Sequence, residues 1–476
     1  MYPEIQGHDG IMGNIISFVP TMEKGAMKVH FIAIGGSIMH SLAIALHEAG
    51  HQVSGSDDQI YDPARSKLAR HGILPSTEGW QPERITSDLD AVILGMHAFT
   101  DNPELAKAQE LGLNIMSFPE FVYQQSQQKQ RIIIAGSYGK TTITSMIMHV
   151  LKGVGKKFNY LVGASVPGFD NSVRLEEDAP IIIIEGDEYL TSRIDPRPKF
   201  LLYQAHMVLL SGISWDHINV FPTEAEYEAQ FANLLKASPK AANIIYEKND
   251  KRLSKLVEKH TDPDTHYLYA YKTPKYKVRN DVYTLKLEDH SAPVKVIGKH
   301  NMTNIAGAWE VCKLLAVEEA DFLEHIGTFV GAGLRLETVG EGSRGLLIKD
   351  YAHAPAKVKA TVEAVKERYP KRRLISVVEL HTFSSLNKAF LPHYKKSLSD
   401  ADVRIVMVDP KAIEKRRMEP ITEEDLKAAF AHKDLICVQS AAELASSLTS
   451  VRQGEKDVIL MMSSGKFGGL ALESLL

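Results

Sequence analysis

Short apolar runs that end in glycine or polar residues and lead into helical patterns recur along the chain. The clearest run, 132–135, is β-branched and predicts a buried strand. A glycine-containing stretch at 136–142 follows it, and then a pattern with one apolar face predicts a helix. Comparable strands are predicted at 28–34, 53–57, 88–94, 181–184, 207–210, 243–246, 346–349, 374–378, 403–408 and 458–462.

This alternation of strand and helix predicts an α/β protein with parallel, doubly wound sheets. The chain has 476 residues, a length typical of about three domains. A glycine-rich connector at 329–335 separates the last of them. We therefore expect an N-terminal extension and three α/β domains, with boundaries at 1–26, 27–127, 128–327 and 328–476.

The stretch at 136–142, GSYGKTT, predicts a phosphate site. A strand, a glycine turn and a helix start present free backbone N–H groups and the positive end of a helix dipole to an anion. Lys140 can reach the β- and γ-phosphates, and the hydroxyl of Thr141 suits Mg²⁺. Gly136 and Gly139 stand closer than in the common phosphate loop. The context predicts a nucleoside triphosphate site rather than a glycine turn with an incidental lysine.

Carboxylate and imidazole groups follow two other predicted strands of the central domain. Glu185 ends the apolar run at 181–184, and His217 lies shortly after the strand at 207–210. Ligands bind at the carboxyl ends of strands in open α/β sheets. Together with Thr141, these residues make a plausible Mg²⁺ site next to the triphosphate, although His217 alone is more typical of a structural histidine.

Two further sets of residues predict nucleotide contacts. His300, Asn301 and Asn304 share the first turn of a helix, where an amide can read an adenine edge and an imidazole can stack on it. Capping of that helix by Asn301 is the structural alternative, and it is compatible with a nucleotide contact. Gly35, Gly36 and Asp57 belong to a βαβ unit that resembles a dinucleotide fold but lacks the full glycine fingerprint, so an unliganded unit is the alternative there.

Composition narrows the class of protein. A hydrophobic share of 44% and a charged share of 24% are ordinary for soluble globular chains. A net charge of −4 predicts no general attraction to nucleic acid or membrane. The only two cysteines are far apart, which argues against a disulfide scaffold and a cysteine zinc site. No run is long enough for a bilayer-spanning helix, and 1–26 has no signal-peptide pattern, so we expect a cytoplasmic protein.

Six motifs occur in an order and spacing that resemble those of the Mur ligase family, the ATP-dependent amide ligases of peptidoglycan synthesis. They are GSYGKTT, EGDEY, WDHIN, GKHNMTNIAGA, FVGAGLR and DYAHAP. The resemblance implies a Rossmann-like UDP-sugar-binding sheet at 27–127, a P-loop ATPase-type sheet at 128–327 and a Rossmann-like sheet that binds an amino acid or peptide at 328–476.

The resemblance also implies roles for particular residues. ATP would be bound by Gly136, Gly139, Lys140, Thr141, Thr142, His300, Asn301, Asn304, Arg335 and Asp350. Mg²⁺ would be held by Thr141, Glu185 and His217, and the UDP part would meet Gly35, Gly36, Ser37 and Asp57. The catalytic set would comprise Lys140, His217, Arg335 and His353.

The implied reaction joins the peptide L-alanyl-γ-D-glutamyl-meso-diaminopimelate to UDP-N-acetylmuramate through an acyl phosphate, in a monomer or weak homo-oligomer. Ile38, the segment at 61–63 and the terminal MSSGKFGG favour this peptide over L-alanine, the chief alternative donor within the family. A regulatory module that binds UDP-sugar and ATP without ligating them is the alternative from another class. A folylpolyglutamate-type ligase would lack the N-terminal unit.

The sequence departs from the family pattern in three places. Leu334 replaces the first of a usual arginine pair, and Tyr138 stands where histidine is frequent. The stretch at 226–235 has no lysine, so we expect no carbamate bridge.

Overall fold

The structure is a computed structural model that describes residues 25–192, 194–215, 218, 220–333 and 335–476. The predicted extension at 1–26 lies outside these residues except for its last two positions. Four sheets form within the described ranges, and three of them are the mainly parallel sheets that the alternating pattern predicts.

The N-terminal sheet is a four-stranded parallel sheet with the order β2-β1-β3-β4. Its strands are β1 (Lys28–Ile32), β2 (Gln52–Ser56), β3 (Ala91–Leu94) and β4 (Ile115–Ser117). Its helices are α1 (Ser37–Glu48), α2 (Ala64–Arg70), α3 (Pro103–Glu110) and α4 (Phe118–Gln125). Because β1 lies between β2 and β3, the turn that follows β1 lies between the carboxyl ends of those two strands.

The central sheet has seven strands in the order β11-β10-β9-β5-β8-β6-β7, parallel except for the short edge strand β7. The strands are β5 (Gln130–Ala135), β6 (Asn159–Leu161), β7 (Val173–Arg174), β8 (Ile181–Glu185), β9 (Met207–Leu210), β10 (Asn243–Glu247) and β11 (Tyr267–Tyr271). The helices are α5 (Lys140–Gly153), α6 (Glu224–Ala237) and α7 (Lys251–His260). The sheet thus sets the apolar strand β5 at its middle.

A small antiparallel sheet follows, and the sequence did not predict it. It comprises β12 (Lys275–Arg279), β13 (Val282–Lys286) and β14 (Ser291–Val294), and the helices α8 (Lys299–Leu314) and α9 (Glu319–Ile326) come after it. Asn280 and Asp281 both have positive φ, 48° and 61°, in the two-residue turn between β12 and β13. An Asn-Asp pair between alternating residues is a hairpin signal, and it was the available clue.

The C-terminal sheet has the order β15-β16-β20-β17-β18-β19, with only β15 antiparallel. The strands are β15 (Glu337–Gly342), β16 (Gly345–Asp350), β17 (Arg373–Glu379), β18 (Val403–Met407), β19 (Ile436–Val438) and β20 (Asp457–Met462). The helices are α10 (Pro355–Arg368), α11 (Pro410–Lys415), α12 (Glu423–Phe430) and α13 (Ala441–Val451).

The hydrophobic cores cross the domain boundaries. One core joins the N-terminal domain to one face of the central sheet, and another joins the opposite face to the C-terminal domain. At the second boundary the start of α8 packs against α10. Gly298, with φ +85° and ψ 150°, precedes α8, and a Cβ there would overlap the Cβ of Ala364. Only glycine fits this contact without strain.

We predict that Gly298→Ala lowers the free energy of unfolding by about 1–3 kcal/mol, because its backbone conformation is nearly exclusive to glycine and the new methyl group meets α10. Urea unfolding would measure the change. Gly342→Ala is the matched control, since a Cβ at Gly342 meets nothing within 4 Å. Equal stability of the two variants would contradict the contact.

Candidate active site

The stretch at 136–142 forms a tight loop between β5 and α5. Gly136 has φ +124°, and a Cβ there would overlap Ser211 Oγ. Gly139 has φ +78°, is the N-cap residue of α5, and a Cβ there would lie 2.6 Å from Asn304 Oδ1. The two glycines are therefore required by backbone conformation and by close neighbours. The loop presents the start of a 14-residue helix, whose free N–H groups attract anions.

Lys140 opens α5 and is held by two acceptors. Its Nζ donates to Gly136 O and to Glu188 Oε2, each at 2.7 Å. Burial lowers the pKa of the Lys140 ammonium, but the nearby carboxylates of Glu188, Asp187 and Glu185 outweigh burial and raise it. Lys140 is therefore a fixed positive charge inside the loop.

Glu185 ends β8 and lies against the same loop. Thr141 Oγ1 donates to Glu185 Oε1 at 2.6 Å, and Gly163 N donates to Oε2 at 2.7 Å. A carboxylate beside a hydroxyl at a phosphate loop fits Mg²⁺, which prefers oxygen ligands and takes few of them from protein. His217, the third predicted ligand, lies outside the described residues. Among those residues, no three His, Cys, Asp or Glu side chains are placed so that they could hold one metal ion together.

A cleft of about 2450 Å³ lies between the central and C-terminal domains. It brings together many of the residues singled out from the sequence, namely Gly139, Lys140, Thr141, Thr142, Glu185, His300, Asn301, Asn304, Arg335 and Asp350. Gly136 lies at the base of the loop, where its carbonyl holds Lys140. A cleft of this size, with a phosphate loop on one wall, has room for a nucleoside triphosphate.

The first turn of α8 forms part of the cleft, but Asn301 does not cap it. The N-cap residue is Gly298, and Asn301 Nδ2 instead donates to Ile297 O at 2.9 Å, so the capping alternative is wrong. Asn304 Nδ2 donates to Asn301 Oδ1 at 3.3 Å. These amides tie the loop before α8 to the turn that faces Gly139.

His300 is neutral and has an unused ring nitrogen. Burial lowers the pKa of His300, and this effect outweighs the opposing charges of Asp350 and Glu367. Its Nδ1 is buried and has no hydrogen-bond partner among the described residues. A neutral imidazole with a free nitrogen is suited to stacking on, or bonding to, a heterocyclic base.

The C-terminal domain contributes Arg335 and Asp350 to the cleft. The Arg335 guanidinium lies 4.6 Å from the centre of the Tyr351 ring, a cation–π contact. Asp350 accepts hydrogen bonds from Leu336 N and Ala352 N, both at 2.8 Å, so it shapes the connector around Arg335. Leu334 lies outside the described residues.

His353, the other predicted catalytic residue of this domain, contacts Tyr351. Its Nδ1 donates to Tyr351 O at 2.9 Å, its ring packs edge-on against the Tyr351 ring, and it does not line the cleft.

The glycine turn of the N-terminal domain forms a second polar site. Gly36 is the N-cap residue of α1, Ser37 is its first residue, and Gly35 N donates to Asp57 Oδ2 at 2.7 Å. Asp57 is only 4% exposed. Burial, reinforced by a side-chain hydrogen bond that protonated Asp57 donates to Asp58, raises the pKa of Asp57 to about 6. The structure thus gathers all four predicted residues at the carboxyl ends of β1 and β2.

Two residues that matter to the loop were not singled out from the sequence. Glu188 binds Lys140, and Tyr227 on α6 donates to Glu188 Oε1 at 2.8 Å. Glu188 stands in the EGDEY motif three positions after Glu185, which was the available signal. No local pattern marks Tyr227, because its role depends on α6 packing near the end of β8.

A phosphate loop at the middle of a parallel sheet, with α/β domains on both sides, defines an ATP-using P-loop protein of three domains. The chain belongs to the Mur ligase family. Three family models match it: the catalytic domain at 28–130, the middle domain at 134–312 and the glutamate ligase domain at 334–465. It is therefore an ATP-dependent amide-bond ligase of peptidoglycan synthesis, and the non-catalytic alternative is wrong.

Relatives of two activities resemble the chain. The UDP-N-acetylmuramate–L-alanine ligase of Lactiplantibacillus plantarum is 30% identical over 399 residues, which cover 80% of this chain and 84% of that protein. The UDP-N-acetylmuramate–L-alanyl-γ-D-glutamyl-meso-2,6-diaminoheptandioate ligase of Escherichia coli K12 is 27% identical over 452 residues, or 93% and 96% of the two chains. The chain is thus similar to both donor classes.

Solved structures share the fold. A murein peptide ligase from Psychrobacter arcticus has a TM-score of 0.63 at 22% identity and covers 94% of this chain and 98% of its own. The UDP-N-acetylmuramate–alanine ligase of Thermotoga maritima has a TM-score of 0.67 at 20% identity, with coverages of 92% and 96%. The predicted three-domain α/β class is confirmed. In the described ranges, none of the helices has the length and apolarity that crossing a bilayer requires.

We predict that Asp57 makes stability depend on pH. Its pKa is raised from 3.8 to about 6 on folding, so the folded state holds the proton more tightly. Proton binding to Asp57 thus adds to the free energy of unfolding below about pH 4, and this contribution is lost as pH rises through about 6. The free energy of unfolding of Asp57→Asn, relative to that of wild type, should therefore increase by roughly 1–3 kcal/mol between pH 4 and pH 7.

Urea unfolding across this pH range checks the prediction. Asp101→Asn, on an exposed loop of the same domain, is the control for the loss of one carboxylate. A constant difference between Asp57→Asn and wild type would refute the role of Asp57.

Proposed function

We propose that this ligase joins L-alanyl-γ-D-glutamyl-meso-diaminopimelate to UDP-N-acetylmuramate, with conversion of ATP to ADP and phosphate. The observation that carries the proposal is the meeting of Lys140, Thr141 and Glu185 on one wall of a cleft whose other wall carries Arg335. Family membership supplies the reaction class, and the position of each residue supplies its proposed role.

The phosphate loop and Arg335 bind the triphosphate in this proposal. The N–H groups at the start of α5 and the ammonium of Lys140 face the β- and γ-phosphates, as the loop geometry favours. Arg335 approaches from the C-terminal domain and neutralises further charge. His300, Asn301 and Asn304, on the first turn of α8, hold the adenosine, and the buried Nδ1 of His300 has no hydrogen-bond partner among the described residues.

Thr141 and Glu185, together with His217, would hold Mg²⁺, which supplies a positive charge that neutralises the phosphate oxygens. Gly35, Gly36, Ser37 and Asp57 would bind the UDP part of the acceptor. The Asp57 carboxylate already accepts a hydrogen bond from Gly35 N in the glycine turn. The bound UDP part would either replace this hydrogen bond or make a further one to the same carboxylate.

The chemistry proceeds in two transfers. A lactyl carboxylate oxygen of UDP-N-acetylmuramate attacks the terminal phosphorus, the bond to the bridging oxygen breaks, and ADP leaves. The free amine of the peptide then attacks the acyl phosphate, loses a proton, and expels phosphate as the amide forms. The protein positions the reactants and stabilises negative charge, which is how phosphoryl transfer is generally catalysed.

The C-terminal domain favours an acidic donor. Lys411, Arg416, Arg417 and Lys466 follow the carboxyl ends of β18 and β20, and none has an ion-pair partner in the part of the chain that the structure describes. The charge of Arg416 reaches His381, just beyond β17. Cations that follow β18 and β20, the two parallel strands on either side of β17, suit a peptide with several free carboxylates better than alanine.

Two other cations of this domain, Lys388 and Arg344, are not part of this group. Lys388 is paired with Asp425 at 2.8 Å, and Arg344 lies in the turn between β15 and β16. The L-alanine ligase remains the second candidate, because relatives of that activity match this chain as well as the peptide ligases do.

We predict that Lys140→Ala lowers kcat by roughly 100-fold or more, because it removes the fixed charge that faces the transferred phosphoryl group. ADP release under saturating substrates measures the loss, and circular dichroism checks that the fold is intact. Lys152→Ala, the same change at the far end of α5, should retain near-normal turnover. Near-normal ligation by Lys140→Ala would defeat the assignment of the loop.

The donor is tested by ADP release from ATP and UDP-N-acetylmuramate with either L-alanine or the tripeptide. We expect kcat/KM to be larger for the tripeptide by roughly 100-fold or more, since a site built for polar groups discriminates strongly against ligands that lack them. Arg416→Ala should raise KM for the tripeptide. A larger kcat/KM for L-alanine would contradict the proposal and favour the second candidate, the L-alanine ligase.

A further inference from the structure

Glu188 is a buried carboxylate that the proposed reaction does not use. Its side chain is 1% exposed, and its Oε2 accepts the hydrogen bond from Lys140, whose side chain is 16% exposed. A buried carboxylate is costly unless it is paired and hydrogen-bonded, so its location beside the phosphate loop requires a reason. The contacts of its two oxygens supply one.

Both carboxylate oxygens of Glu188 are linked by hydrogen bonds to the phosphate loop, one directly and one through Tyr227. Its Oε2 binds Lys140, and its Oε1 accepts a hydrogen bond from Tyr227 OH at 2.8 Å. The same hydroxyl lies 3.1 Å from Ser137 Oγ, and that oxygen accepts from Ser214 N at 2.6 Å. Because Tyr227 is fully buried on α6, it fixes the carboxylate relative to the loop.

This arrangement uses two of the three N–H bonds of the Lys140 ammonium. One points to Gly136 O and one to Glu188 Oε2, and no described residue offers a further acceptor within hydrogen-bond distance. An ammonium group has three donors at fixed angles. With two donors fixed, the direction of the third is fixed as well.

We propose that Glu188, held by Tyr227, is a positioning residue that aims the third N–H of Lys140 at the phosphoryl group being transferred. The inference rests on the proposed function, in which Lys140 faces the terminal phosphates. Glu188 acts through Lys140 and does not touch the nucleotide. Its own negative charge opposes the polyanion, so its benefit lies in alignment during transfer and not in ground-state affinity.

A distinct kinetic signature follows. Loss of Glu188 frees the ammonium to rotate, and misalignment of about 1 Å can cost about 100-fold in rate. Affinity for ATP should be unchanged or tighter, because a like charge near the phosphates disappears. A residue that merely stabilised the loop would instead weaken ATP binding and kcat together.

The test uses the full-length enzyme with Glu188→Ala, Glu188→Gln and Tyr227→Phe. We expect kcat to fall about 100-fold in Glu188→Ala and about 10-fold in Glu188→Gln, whose amide oxygen still accepts from Lys140. In Tyr227→Phe, kcat should fall by a smaller factor. The dissociation constant for ATP, measured by calorimetry without acceptor, should stay within about threefold of wild type or decrease.

Tyr203→Phe is the matched control. Tyr203 is as buried as Tyr227 and belongs to the same domain, but no hydrogen bond joins it to the loop, so kcat should not change. If Glu188→Ala fails to fold, the isosteric Glu188→Gln decides the question by the same two measurements.

Two outcomes would overturn the positioning role. One is wild-type kcat in both Glu188 variants, and the other is a loss of ATP affinity that accounts for the whole loss of activity. Failure of the proposed function gives a different pattern, because then wild type does not turn over ATP with UDP-N-acetylmuramate, or Lys140→Ala turns over normally.

Discussion

The rest of the structure depends on the burial of β5 on both faces. Ile132 and Ile134 face the core that continues into the C-terminal domain, whereas Ile133 and Ala135 face the core shared with the N-terminal domain. β8 and β9 pair with β5 on either side and use its backbone groups. Backbone groups of this segment become available to a ligand only in the turn after Ala135, where strand pairing ends. The two outer domains pack on either side of the sheet that carries this turn.

The cleft is assembled from elements that are far apart in sequence, and close contacts fix their positions. Asn304 of α8 lies against Gly139, and Gly298 lies against α10, so one helix connects the phosphate loop to the C-terminal domain. Asp350 then arranges the connector that carries Arg335. Since each contact is too tight for a larger side chain or is hydrogen-bonded, the nucleotide site and the domain arrangement depend on each other.

Local chemistry made most of the architecture predictable. Doubly buried strands such as β5, β8 and β9 are continuous apolar runs, and the glycines and Lys140 mark the loop without reference to distant residues. The small sheet β12–β14 was missed because its strands are short and largely exposed. Asn301 was open to a capping interpretation because sequence does not show that Gly298 takes the N-cap position. Tyr227 acts only through a contact across the fold, which no spacing reveals.

The charges at the end of β8 explain which carboxylate is suited to a metal ion. Three acidic side chains stand there, and two have lysine partners: Asp187 binds Lys199 at 2.6 Å, and Glu188 binds Lys140 at 2.7 Å. In the described structure Glu185 is bound only by neutral donors, the hydroxyl of Thr141 and the N–H of Gly163. Among the described residues Glu185 therefore has no lysine bonded directly to it, although the charge of Lys140 lies nearby. A divalent cation at Glu185 would balance this carboxylate and the incoming triphosphate together, whereas Asp187 and Glu188 would first have to give up their lysines.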